Sequence, residues 1–80
     1  MNMKKVIGNR ITQARKARGI LIKDLAERTG LKATRISNWE QGTRSPGPEE
    51  AKILSKELNV AASWLLCLTD NPMGEWLENK

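Results

Sequence analysis

Residues 25–42 read LAERTGLKATRISNWEQG, and the pattern of this stretch decides the fold. Leu25, Ala26 and Thr29 share one face of a short helix, and Ile36 and Trp39 share the inward face of a second. Both sets recur at helical spacing. Gly30 hinges the two pieces and Gly42 closes the second, since glycine tolerates the left-handed conformation that ends a helix.

Working outward, five helices account for the chain. The first spans about 6–18, with Ile7, Ile11 and Ala14 at helical spacing and Gly19 as its stop. The second covers 22–29 and the third 33–41. Thr43 to Gly47 form a loop, with Pro46 and Pro48 as breakers. Pro48 suits the first position of the fourth helix, where Glu49 and Glu50 meet the positive end of the helix dipole. Ala51, Leu54, Ser55 and Leu58 line its inner face, and Asn59 supplies a left-handed cap. The fifth helix spans about 62–68 and offers Trp64, Leu65 and Leu68 to the core. The expected organisation is one all-α domain over 1–69 and a short tail over 70–80, carrying Trp76 and Leu77.

Eighty residues allow one domain, and a chain of this size buries only about 60% of its unfolded surface. The interior must be filled by Leu, Ile, Val, Ala and three Trp, because Phe and Tyr are absent. Cys67 has no partner for an internal disulfide, and no apolar run is long enough to cross a bilayer. A cytoplasmic, reducing setting is the expectation.

The net charge of +5 is unevenly placed. Residues 1–20 carry +6, residues 21–46 carry +2 and residues 47–80 carry −3. A basic N-terminal half suits a polyanionic partner, although a merely solvated basic face has the same composition.

On the third helix, Thr34, Ser37, Asn38 and Gln41 form an outward polar stripe opposite Ile36 and Trp39, flanked by Ala33 and Arg35. Asn and Gln can pair bidentately with adenine, and Arg with guanine. Such a stripe elsewhere would be ordinary surface. On the second helix of a helix-turn-helix it faces the DNA major groove.

The stretches IGNRITQARKARGI (7–20), LAERTGLKATRISNWEQGTRSPGPE (25–49) and LSKELNVAASWLL (54–66) together resemble the lambda-repressor-like, Cro-type helix-turn-helix family of phage and bacterial regulators, in the family's order and spacing. The resemblance implies a compact five-helix bundle and a homodimer that binds double-stranded DNA on a palindromic operator, typically as a repressor. Carried over residue by residue, it places base reading on Lys32, Ala33, Thr34 and Asn38, with Arg35 between them reaching a base or a phosphate. Contacts to the DNA backbone fall on Gln41, Thr43 and Arg44, joined by Ser37 and Lys23. An ion pair is implied between Arg15 and Glu40, and a dimer contact at Ala62, Ser63, Trp64 and Leu66 together with the loop before the fourth helix. The chain departs from the family where Leu21 and Ile22 replace Ser and Gln, where Lys32 replaces a capping Ser, and where Ala61 and Ser63 replace a capping Ser and an acid.

Enzyme chemistry finds little footing. Histidine is absent, one cysteine cannot build a zinc site, and no glycine-rich phosphate loop occurs. No cofactor, metal or small-molecule ligand is expected. The competing reading is an antitoxin-like module that binds a protein, with DNA binding secondary; Trp76 and Leu77 are the residues that would serve it.

Overall fold

A computed structural model describes residues 2–74. Its helices are α1 (Met3–Ala17), α2 (Ile22–Thr29), α3 (Ala33–Gln41), α4 (Pro48–Leu58) and α5 (Ala62–Leu65), and no strand occurs among the described residues. The fold is an all-α, five-helix bundle.

Local chemistry sets most of the helix ends. Asn2 accepts a hydrogen bond from the Lys4 N–H at 3.1 Å, so α1 starts three residues before the expected Val6. At α2, Leu21 has no capping side chain. The Asp24 carboxylate reaches back instead and accepts the Leu21 N–H at 3.1 Å. Glu50 does the same for α4, accepting the Gly47 N–H at 2.7 Å beside Pro48. Asn59 closes α4 in the left-handed region, at φ 58°.

The last helix differs from expectation. It stops at Leu65 rather than running to 68. Cys67 turns left-handed at φ 63°, the Leu68 N–H donates to the Ser63 carbonyl at 2.8 Å, and the Cys67 N–H donates to that of Trp64 at 3.0 Å. This is a Schellman closure with cysteine where glycine usually sits. It swings Leu68 outward, so that Leu68 is 76% exposed rather than in the core.

The core joins all five helices. Ile11, Leu25, Ile36, Leu54 and Leu65 are its largest fully buried side chains, and burial stabilises each by about 1.5–3 kcal/mol. Trp39 and Trp64 are buried with them, and Cys67 packs partly against the cluster. The chain stays on the body past residue 69. The Ala61 N–H donates to the Pro72 carbonyl at 2.7 Å, and Arg10 reaches the Thr69 carbonyl at 2.7 Å and Asp70 at 3.1 Å. Residues 70–73 are exposed, and Gly74 is buried. Trp76 and Leu77 lie outside the described residues.

α1 lies directly on the end of α3. Gly8 faces the Trp39 and Glu40 carbonyls, and a Cβ there would come within 2.7 Å of the Glu40 oxygen and closer to that of Trp39. At the other side of this seam, a Cβ on Gly42 would stand 2.7 Å from the Lys5 Cγ and 3.1 Å from its Cα. Gly42 is also left-handed, at φ 81°. Two missing side chains thus let the first turns of α1 lie against the C-terminus of α3.

Candidate nucleic-acid interface

α3 presents its surface because its other side is fastened. Ile36 and Trp39 are buried against the core. The turn from α2 is braced by Thr29, whose hydroxyl donates to the Leu25 carbonyl at 2.7 Å and accepts the Leu31 N–H at 3.2 Å. Gly30 closes α2 at φ 77°.

The firmest tie is between Arg15 and Glu40. Arg15 Nε lies 2.7 Å from Glu40 Oε2 and Arg15 Nη2 lies 3.0 Å from Oε1, a two-pronged pair. Thr12 donates to the same Oε1 at 2.8 Å, and Arg15 Nη1 donates to the Ile20 carbonyl at 2.8 Å. The side chains of Arg15 and Glu40 are only 11% and 8% exposed. The hydrogen bond to Glu40 raises the Arg15 pKa above its usual value despite burial, so the guanidinium stays charged. Glu40 therefore faces α1 and not the outward surface of its own helix.

On that surface Lys32, Ala33, Thr34, Arg35 and Gln41 are exposed, and Ser37 and Asn38 are half-buried. The side chains of Lys32, Thr34 and Asn38 make no hydrogen bond or ion pair among the described residues. Gln41 donates to the Ser37 hydroxyl at 3.0 Å. Arg35 is engaged differently from its neighbours: its guanidinium lies 5.3 Å from the Trp39 ring centre and 3.4 Å from Glu50 Oε2. Thr43 and Arg44 follow on the exposed loop, their N–H groups donating to the Asn38 carbonyl at 3.0 and 3.3 Å. Lys23 is exposed on the first turn of α2.

The helix-turn-helix family model matches residues 11–65. The chain belongs to the helix-turn-helix family. It is also 30% identical over 63 residues to an uncharacterized HTH-type transcriptional regulator, YobD, of Bacillus subtilis (strain 168). That match covers 79% of this chain and 56% of the relative, so the chain spans little more than half of the relative's length. No solved structure matches.

The residues carried over for dimer contact are placed unequally. Ala62, Ser63 and Leu66 are half-buried, whereas Trp64 is 5% exposed and belongs to the chain's own core. Its ring lies 5.1 Å from the Arg10 guanidinium carbon, and its carbonyl accepts Arg10 Nη1 at 2.6 Å. Little of Trp64 is left for a second subunit.

Three features have no counterpart in the sequence reading. The close approach of Gly8 to α3 and the grip of Arg10 on two carbonyls leave no local signal in the sequence. Lys4 lines an open cleft with Arg35, Asn38, Trp39, Arg44 and Ser45. Among the described residues no helix is long and apolar enough to cross a membrane, and no cluster of His, Cys, Asp or Glu could hold a metal ion.

Proposed function

We propose that this protein is a sequence-specific, double-stranded DNA-binding transcriptional regulator, acting as a dimeric repressor on a palindromic operator in the cytoplasm. One observation carries the reading: a helix locked from behind by Glu40 and Arg15 holds Lys32, Thr34 and Asn38 outward with their side-chain hydrogen-bonding groups uncommitted among the described residues. Membership of the helix-turn-helix family and the name of the B. subtilis relative point the same way.

In this reading α3 enters the major groove. Lys32, Ala33, Thr34 and Asn38 meet base edges, and Ser37, Gln41, Thr43, Arg44 and Lys23 meet the backbone. One short helix covers only a few base pairs. Two copies, with half-sites about 34 Å apart, give a site long enough to be specific. Ala62, Ser63 and Leu66, with the loop before α4, form the contact between them.

Selection of bound duplexes from a random pool, followed by mass measurement of the complex, tests both parts. A palindromic consensus bound by two chains is expected. Asn38→Ala should relax preference at one base step, at a cost of about 1–3 kcal/mol there. Arg44→Ala should weaken all duplexes alike. An Asn38→Ala protein with an unchanged consensus would show that α3 lies in another register.

Exposed Leu68 and Met73 support a second reading, an antitoxin-like module that binds a protein. Removing residues 73–80 separates the two. Loss of both the dimer and DNA binding favours the first, and intact DNA binding with loss of a protein partner favours the second.

A further inference from the structure

The cleft beside the C-terminal half of α3 has a volume of about 570 Å³ and draws on three separate parts of the chain. Lys4 comes from the first turn of α1, Arg35 and Asn38 from α3, and Arg44 and Ser45 from the following loop. The Gly42 contact with Lys5 holds the α1 turn there. The lining contains three cations and no carboxylate. Lys4 and Arg44 form no ion pair among the described residues. Of the lining residues Arg35 meets an acid, Glu50, whose Oε1 is fixed by the Gly47 N–H at 2.7 Å and whose Oε2 takes Arg35 at 3.4 Å.

Resting on the DNA-binding reading above, we propose that this cleft seats a short run of DNA backbone, with Lys4, Arg35 and Arg44 as phosphate contacts. Like charges gathered in a concave wall focus positive potential and favour a polyanion. Asn38 and Ser45 add polar atoms beside them, and Trp39 forms the apolar part of the wall. Arg35 sits between the Trp39 face and Glu50 on the rim of the cleft. To read a base it would have to leave both partners; to meet a phosphate in the cleft it need not. Glu50 is thus a positioning residue for Arg35. Lys4 becomes the residue through which α1 takes part in binding, and Arg35 contributes to affinity rather than to base preference.

Salt dependence and base preference tell these roles apart. Lys4→Gln and Arg35→Gln should each flatten the plot of log K against log salt by about 0.9 for every bound chain, the change for one phosphate contact per copy, and leave the selected consensus unchanged. Lys56→Gln, beside the separate cleft at the end of α4, should leave the slope alone. Arg35→Lys keeps the charge but loses the planar fork. It should retain both slope and consensus. Thermal melting checks that each variant stays folded. A consensus altered by Arg35→Lys overturns the assignment of Arg35, and a slope unmoved by Lys4→Gln overturns that of Lys4. Inorganic phosphate should shift the amide signals of Lys4, Arg35 and Arg44 only at concentrations far above those needed with a duplex. Saturation by free phosphate at comparable concentrations would make the cleft a site for the ion and not for DNA. A wild-type chain that selects no duplex would overturn the DNA-binding reading itself, whereas one that binds but fails the Lys4 or Arg35 tests overturns this inference alone.

Discussion

Two arginines of α1, five positions apart, anchor opposite corners of the molecule in different ways. Arg15 meets Glu40 with both side chains nearly sealed from water, and its remaining donor takes the Ile20 carbonyl. Arg10 grips two backbone carbonyls, those of Trp64 and Thr69, while its acidic partner Asp70 stands fully in solvent. The separations of the two ion pairs are similar, 2.7 and 3.1 Å. The difference lies in what is left behind when a partner goes. At the α3 corner a buried charge is stranded. At the α5 corner the carboxylate is dispensable and the carbonyls carry the contact.

The largest effect is therefore expected from Glu40→Ala, at about 3–5 kcal/mol of stability, because Arg15 loses its counter-charge in a buried place. Arg15→Ala should cost a similar amount, and the double variant far less than the sum. Additive losses in a double-mutant cycle by denaturant unfolding would break the comparison at its stronger end.

Gly8→Ala should follow, at about 3 kcal/mol, because its methyl group meets backbone carbonyls that cannot swing aside. A thermal melt equal to wild type would mean that α1 can lift away from α3 freely. Arg10→Ala comes next, at about 2 kcal/mol, from charged hydrogen bonds to carbonyls and from the Trp64 face. Asp70→Ala should leave the melting temperature where it was. Equal losses for Arg10→Ala and Asp70→Ala would put the ion pair, not the carbonyls, in charge of that corner.

The smallest expected effect is in acid. The Gly47 N–H, helped by the charge of Arg35, holds the Glu50 carboxyl below its usual 4.5. A folded pKa lowered in this way stabilises above the unfolded value and is lost as pH falls through the folded one. Glu50→Gln should make the melting temperature slightly less sensitive to pH below about 4.5, seen by comparing melts at neutral and acid pH.

The same contrast marks what the sequence could show. α2 and α3 begin and end where periodicity and Gly30 and Gly42 put them, and Pro48 and Asn59 bound α4 as expected. Gly30, Gly42, Pro48 and Asn59 each carry a strong local preference for the place they take. The stop after α5 has no such residue, because Cys67 carries no such preference and yet takes the left-handed turn. Leu68 lies outside the core for that reason. In the candidate interface, the outward stripe of α3 follows from helical periodicity. That Arg10 turns inward, that Lys4 reaches the α3 side, and that Trp64 is taken up by its own core are properties of packing between distant segments. Composition cannot express them. The basic N-terminal half also overstated the charge available to a partner, since Arg10 and Arg15 are both engaged within the fold.

α3 has only nine residues, and a helix of that length is marginal in water on its own. Its hold on Gly8, Arg15 and the core ties its persistence to the whole domain. Its amide protons should therefore exchange with solvent only through global unfolding, as slowly as those of the central turns of α1. The surface that α3 presents would then vanish in one step with the fold, leaving no partly melted form that still displays it.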